Sequence, residues 1–127
     1  MAAGDLELTA GTTFAFSATW QQQDDDGAAL VPIDISGCRA RFQAREVESG
    51  RLLLDAQTEG RGVTIPAGSD GTLTVSLSPT TTRGLPARRL GEVEHELRVY
   101  FPSGDAYAVL TGFLVIRQGV IRDQPDP

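Results

Sequence analysis

The chain contains no lysine. Its 11 basic residues are all arginine, set against 17 carboxylates for a formal net charge of -6. That balance repels a phosphate backbone and argues against a nucleic-acid partner. Arginine holds carboxylates bidentately and serves interfaces, but a GC-rich genome explains the same bias and is the favoured reason. There is one cysteine, Cys38, so no internal disulfide can form. On the apolar face of a strand it reads as a small hydrophobe, and no neighbouring base in the sequence makes it a reactive thiol. The lone histidine, His95, cannot build a metal site by itself and is read as a half-buried, hydrogen-bonded residue. No Gly-x-Ser-x-Gly elbow supports a serine triad, and no glycine-rich loop opens a helix for phosphate. Asp24-Asp25-Asp26-Gly27 lacks the spaced ligands and distant Glu of a calcium loop and reads as a solvated loop tip. Aromatic residues make up 6% of the chain, few for a sugar-binding face; only Tyr100 and Tyr107 are outward candidates. No stretch approaches a membrane span, and Met1 to Asp5 carries no signal-peptide pattern. The expectation is a protein folded in a cytoplasm, with no membrane, cofactor, metal or catalytic site.

What is present is strand periodicity. A chain of 127 residues is expected to form one domain with a real core, here residues 1–120, followed by a polar tail over 121–127. Cys38 to Arg45 and Glu92 to Val99 both alternate with period two, the mark of strands with one buried face. The first puts Arg39, Arg41 and Arg45 outward, the second Glu92, Glu94 and Glu96. Opposite charges across a sheet favour pairing, so these two strands are expected to be neighbours. Further strands are read at Leu6–Leu8, Thr12–Trp20, Arg51–Thr58, Val63–Ile65, around Leu73–Leu77 and at Ala106–Arg117. Leu30 to Ile35 contains Pro32 and reads as an edge or irregular segment; Gln21 to Ala29 reads as a polar loop. Ser78, Pro79 and Gly84 mark one helical turn by N-cap, first position and C′ stop. About seven or eight short strands with regular turn signals and almost no helix predict an all-β fold, an antiparallel immunoglobulin-like β-sandwich, with a small barrel as the alternative. The alternating inward positions predict a core of Phe14, Phe16, Trp20, Phe42, Leu73, Val75, Leu97, Val99, Phe113 and Val115.

The segment Ile33-Asp34-Ile35-Ser36-Gly37 leading into Arg41-Phe42 and Arg45 resembles a recurring stretch of small β-sandwich virion proteins of tailed bacteriophages. These are similar to the N-terminal domain of phage baseplate upper proteins. Gly11-Thr12-Thr13-Phe14 resembles their opening strand, and Gly62 to Ile65 with Gly71 to Val75 their central hairpin. Leu77-Ser78-Pro79 to Leu85-Pro86 resembles their crossover, and Gly112 to Arg122 their terminal strand. Val93 and His95 stand where that family commonly has aromatics, and Ile121 replaces a Thr. The resemblance implies a non-enzymatic structural protein of the virion: an adaptor in the tail, baseplate or fibre attachment, without cofactor, whose partners are other virion proteins arranged as a symmetric oligomer. The alternatives are a capsid decoration or head-tail role, or a carbohydrate-binding or adhesion module.

Unpaired sheet edges invite strand addition, and polar segments without apolar anchors order against partners. The expected partner-facing residues are therefore Asp24, Asp25 and Asp26 of the first loop, Leu30, Val31, Pro32 and Ile33 of the edge segment, and Asp123 and Gln124 of the tail.

Overall fold

From Arg39 to Glu46 every second side chain is buried: Ala40, Phe42 and Ala44 point inward while Arg41, Gln43 and Arg45 point out. That alternation repeats on each major strand and defines the architecture. The computed structural model describes residues 2–23, 30–66 and 71–121. In chain order the strands are β1 (Ala2–Ala3), β2 (Leu6–Thr9), β3 (Phe14–Thr19), β4 (Gln21–Gln23), β5 (Leu30–Pro32), β6 (Arg39–Glu46), β7 (Leu52–Gln57), β8 (Val63–Thr64) and β9 (Thr72–Leu77). A helical turn α1 (Pro79–Thr82) follows, then β10 (Val93–Tyr100) and β11 (Ala106–Arg117).

One sheet runs β1-β11-β10-β6-β7, with β2 also on β11; the other runs β3-β9-β8, and β4 with β5 forms a separate two-stranded piece. The two larger sheets face each other over one apolar cluster that includes Phe14, Leu73 and Val75 from one side and Phe42, Leu97, Val99 and Leu114 from the other. Phe42 bridges them directly, its ring 5.4 Å from Phe16 and 6.4 Å from Phe14. This is an immunoglobulin-like β-sandwich, and β7 on the outer side of β6 gives the larger sheet the extra strand of the variable-type arrangement.

The expected adjacency of the arginine and glutamate strands holds: β6 and β10 pair antiparallel, with Glu94 opposite Arg45 and Glu96 opposite Gln43. The individual charge partners differ from the simple pairing. The register puts Arg98 opposite Arg41. Arg41 turns to Asp55 on β7, at 3.0 and 2.9 Å, and Arg98 turns back to Glu96 on its own strand. Exposed ion pairs of this kind contribute little to stability.

Five expectations are corrected, the first being Phe16, which packs against the core but is only partly buried. Phe113 is 39% exposed and Val115 is only partly buried, whereas Leu114 and Ile116 are core. The cause is a bulge: Leu97 pairs Leu110 but Arg98 pairs Ala108, leaving Val109 as an extra residue. A bulge shifts the period-two phase by one and moves every later side chain to the other face. A second bulge at Ala44/Arg45 puts Leu52, at 40% exposed, on the outside. Gln21–Gln23, read as loop, is the strand β4. Trp20 is partly buried at one end of the sandwich rather than central.

The helical turn starts as its signals indicate, but Gly84, expected as its C′ stop, does not take a positive φ. Ser78 caps it by accepting from the Thr81 N–H at 3.3 Å, and Pro79 opens it. Its buried Thr82 hydroxyl donates to the Thr12 carbonyl at 2.7 Å and accepts from the Gly11 N–H at 3.1 Å, tying α1 to the turn that precedes β3. Arg88 holds Glu46 at 2.6 Å and fastens the segment between α1 and β10 to the end of β6.

Candidate partner-binding surface

At Thr19 the strand β3 leaves its sheet and its chain continues outward as β4. The Trp20 N–H donates to the Gly71 carbonyl at 2.8 Å, and the Trp20 carbonyl accepts from the Ile33 N–H at 3.0 Å. Beyond this crossing β4 and β5 pair antiparallel, with Gln21 opposite Pro32 and Gln22 opposite Val31. Pro32 has no N–H and is tolerated because this is an edge. The crossing needs a glycine at residue 71. Its φ is +89°, and a Cβ there would run into the Trp20 carbonyl and the Ile33 backbone, a place only Gly fits without strain.

Three aromatic rings close the sandwich beneath this hairpin. Trp20 lies 5.9 Å from Phe101 and 5.6 Å from Tyr107, and Phe101 meets Tyr107 edge-on at 5.7 Å. Phe101 and Tyr107 flank the β10–β11 turn, which is closed by the Phe101 N–H to Asp105 carbonyl bond at 2.8 Å. Tyr107 is 48% exposed and Val31 is 40% exposed, so an apolar hairpin side chain and an aromatic base both reach solvent at one end of the molecule.

The residues singled out in the sequence distribute unevenly. Leu30, Val31 and Pro32 form β5, and Ile33 is half-buried against the core. Asp24, Asp25, Asp26, Asp123 and Gln124 lie outside the described residues. The strand leading toward the tail, β11, starts beside the aromatic base and ends at the opposite end of the sandwich, where the Ala10 N–H donates to the Arg117 carbonyl. Trp20, Phe101 and Tyr107 were not expected to form a site. Their one sequence signal is that Phe101 and Tyr107 bracket the turn Pro102-Ser103-Gly104-Asp105.

His95 is buried against Phe42, and its Nε2 donates to the Gly4 carbonyl at 2.7 Å. A carbonyl only accepts, so Nε2 carries the proton. Nδ1 is buried without a partner. Burial pushes the imidazole below its ordinary value of 6.5, against a smaller opposing pull from the Gly4 carbonyl and Asp5. A depressed folded-state value means that the unfolded chain binds the proton first. Stability is therefore expected to be full above pH 6.5 and to fall as pH drops below it. His95→Gln should flatten that part of the profile between pH 7 and about 5, above the carboxylate range. Urea melts across pH check this; an unchanged slope in the variant contradicts it. Burial, and secondarily Asp34, pushes the Cys38 thiol up, away from a reactive thiolate. The Ser36 hydroxyl, and secondarily the Ser36 N–H at 2.9 Å, lowers the pKa of Asp34 itself. Among the described residues no group of three or more His, Cys, Asp or Glu side chains is placed to hold a metal ion.

No protein-family model matches the chain, and no curated protein matches it either. Among solved structures it is similar to the NK cell receptor Nkp44, a triggering partner in natural cytotoxicity, at 16% identity and a TM-score of 0.45, over 91% of this chain and 99% of that one. That likeness carries nothing about partners or function.

Proposed function

We propose that this protein is a non-enzymatic structural component of a tailed-phage virion, an adaptor that joins tail, baseplate or fibre parts through the hairpin end of its sandwich. The observation that supports an adaptor most is the β4–β5 hairpin, which stands outside both sheets with Val31 exposed and which the chain enters directly from Trp20, a member of the Trp20, Phe101 and Tyr107 ring cluster. Exposed apolar and aromatic side chains held on a rigid frame are the usual anchors of protein interfaces. The virion setting rests on the resemblance of Ile33 to Arg45 and the other segments described above.

Quantitative mass spectrometry of purified particles, separated into head and tail fractions, tests this reading. The expected result is the chain in several copies per particle and in the tail fraction. Its presence in the head fraction alone would move it to capsid decoration. Absence from both fractions, or saturable binding on a glycan array by the purified protein, would overturn the adaptor reading.

A further inference from the structure

We infer that the free edge of β3 is a self-association surface, at which a second copy of this chain adds its own β3 antiparallel across a two-fold axis. The surface is a different strand edge from the hairpin it leads into, and it stands whether or not the adaptor reading does.

The hydrogen-bond phase of the strand identifies the groups that are open. In an antiparallel ladder, alternate residues point their N–H and C=O to one neighbour and the rest to the other side. Trp20 donates to Gly71 on the β9 side, and Ser76 of β9 donates to Gly62 on the β8 side, at 2.7 Å. With Phe14 opposite Leu77 and Phe16 opposite Val75, the even residues of β3 are those bonded to β9. Ala15, Ser17 and Thr19 therefore aim their N–H and C=O at the open edge. Among the described residues no strand pairs that side, and β2 pairs β11.

This edge lacks the usual protection. Natural edges are blunted by charges, proline, bulges or short length. β7, the outer strand of the larger sheet, carries a bulge and Asp55, and β8 is two residues long. β3 has six residues in even register, with no charge and no proline.

The side chains favour a second copy as the occupant. Directly opposed residues in an antiparallel pair share a face. A two-fold axis at Ser17 sets Ser17 against its counterpart and Ala15 against Thr19 of the second copy. Small uncharged groups then meet on the solvent side, in an isologous contact that closes on itself. The hydroxyl ladder already present, Ser17 to Thr74 and Thr19 to Thr72 at 2.9 Å each, continues across the axis. No charge of the molecule's acidic surplus falls on β3 itself to oppose the pairing.

The test is sedimentation velocity of the full chain over a concentration series, with amide hydrogen exchange on the same samples. A monomer–dimer equilibrium tighter than about 1 mM is expected, within the range of weak specific association. Exchange at the Ala15, Ser17 and Thr19 amides should slow by about tenfold or more on concentration, while Phe16 and Ala18 are already protected in the monomer. Ser17→Lys, which sets two like charges together on the axis, should abolish the dimer with the circular dichroism of the fold retained. Thr64→Lys on β8 should leave the dimer intact. A monomer at every concentration would overturn the inference. So would a dimer that survives Ser17→Lys, or concentration-independent protection of the three odd amides, which means that the chain covers its own edge.

Discussion

Replacing Phe42 by alanine is expected to destabilise the protein by about 3–5 kcal/mol, the range for emptying a fully buried aromatic site. Phe42 is 0% exposed and sits at the centre of the inter-sheet contact. Its ring meets Phe14 and Phe16 from the facing sheet and His95, 5.7 Å away, from the adjacent strand β10. The backbones on both sides are fixed by ladder hydrogen bonds and can close only part of the cavity, so contacts are lost outright. A loss of that size is a large share of the roughly 5–15 kcal/mol that holds a domain together. Urea unfolding of both proteins measures it through the midpoint shift at constant slope. A change near zero would remove Phe42, and with it this packing of the two sheets, from the core.

Gly112→Ala is expected to cost about 2–4 kcal/mol, through overpacking and the hydrogen bonds it displaces. Gly112 does not lie in the left-handed region, so conformation alone does not demand glycine; space does. A Cβ there would run into the carbonyl of Gly4. That carbonyl accepts from His95, the Gly4 N–H donates to Thr111 at 2.7 Å, and Asp5 accepts from the Phe113 N–H at 2.9 Å. These bonds form the joint at which the chain passes from β1, paired with Leu110 and Thr111, to β2, paired from Leu114 onward. Pushing Gly4 away breaks the joint and leaves the buried His95 Nε2 donor without an acceptor. Gly84→Ala is the control: nothing lies within 4 Å of a Cβ at residue 84, and its melting midpoint should stay near that of the parent. Equal effects of the two substitutions would contradict the close approach.

The fold was legible where the sequence alternates over a long stretch. Arg39–Glu46 and Val93–Tyr100 declare their inner faces residue by residue, and their opposite outer charges point to adjacency even though Arg41 and Arg98 find other partners. Ser78-Pro79 announces the helical turn through capping chemistry. The failures share one cause, which is that pairing decides what local pattern does not. The bulge at Val109 exists only relative to β10, and nothing in Ala106–Arg117 itself signals that the phase changes there, so unbroken alternation points Phe113 and Val115 inward. Gln21–Gln23 is uniformly polar and has no alternation to read, yet it becomes a strand because Leu30–Pro32 lies beside it. Ala2–Ala3 is too short to carry a period. At the candidate surface, Leu30 to Pro32 was legible as an edge through its proline. The aromatic base beneath it was not, because Trp20 and Tyr107 are 87 positions apart by residue number and meet only after both sheets have formed.

An adaptor of this kind should meet its partner through the hairpin end. Binding of the purified chain to isolated phage tails that lack it, followed by co-sedimentation, addresses this most directly. The parent protein is expected to bind saturably. Val31→Asp and Tyr107→Ala should each weaken binding by about tenfold or more, equivalent to ~1.4 kcal/mol, with thermal melts showing that both variants stay folded. Leu90→Asp, at a residue 61% exposed at the opposite end of the sandwich, should bind as the parent does. Binding lost in Leu90→Asp but retained in Val31→Asp and Tyr107→Ala, or no binding by the parent protein, would contradict the account.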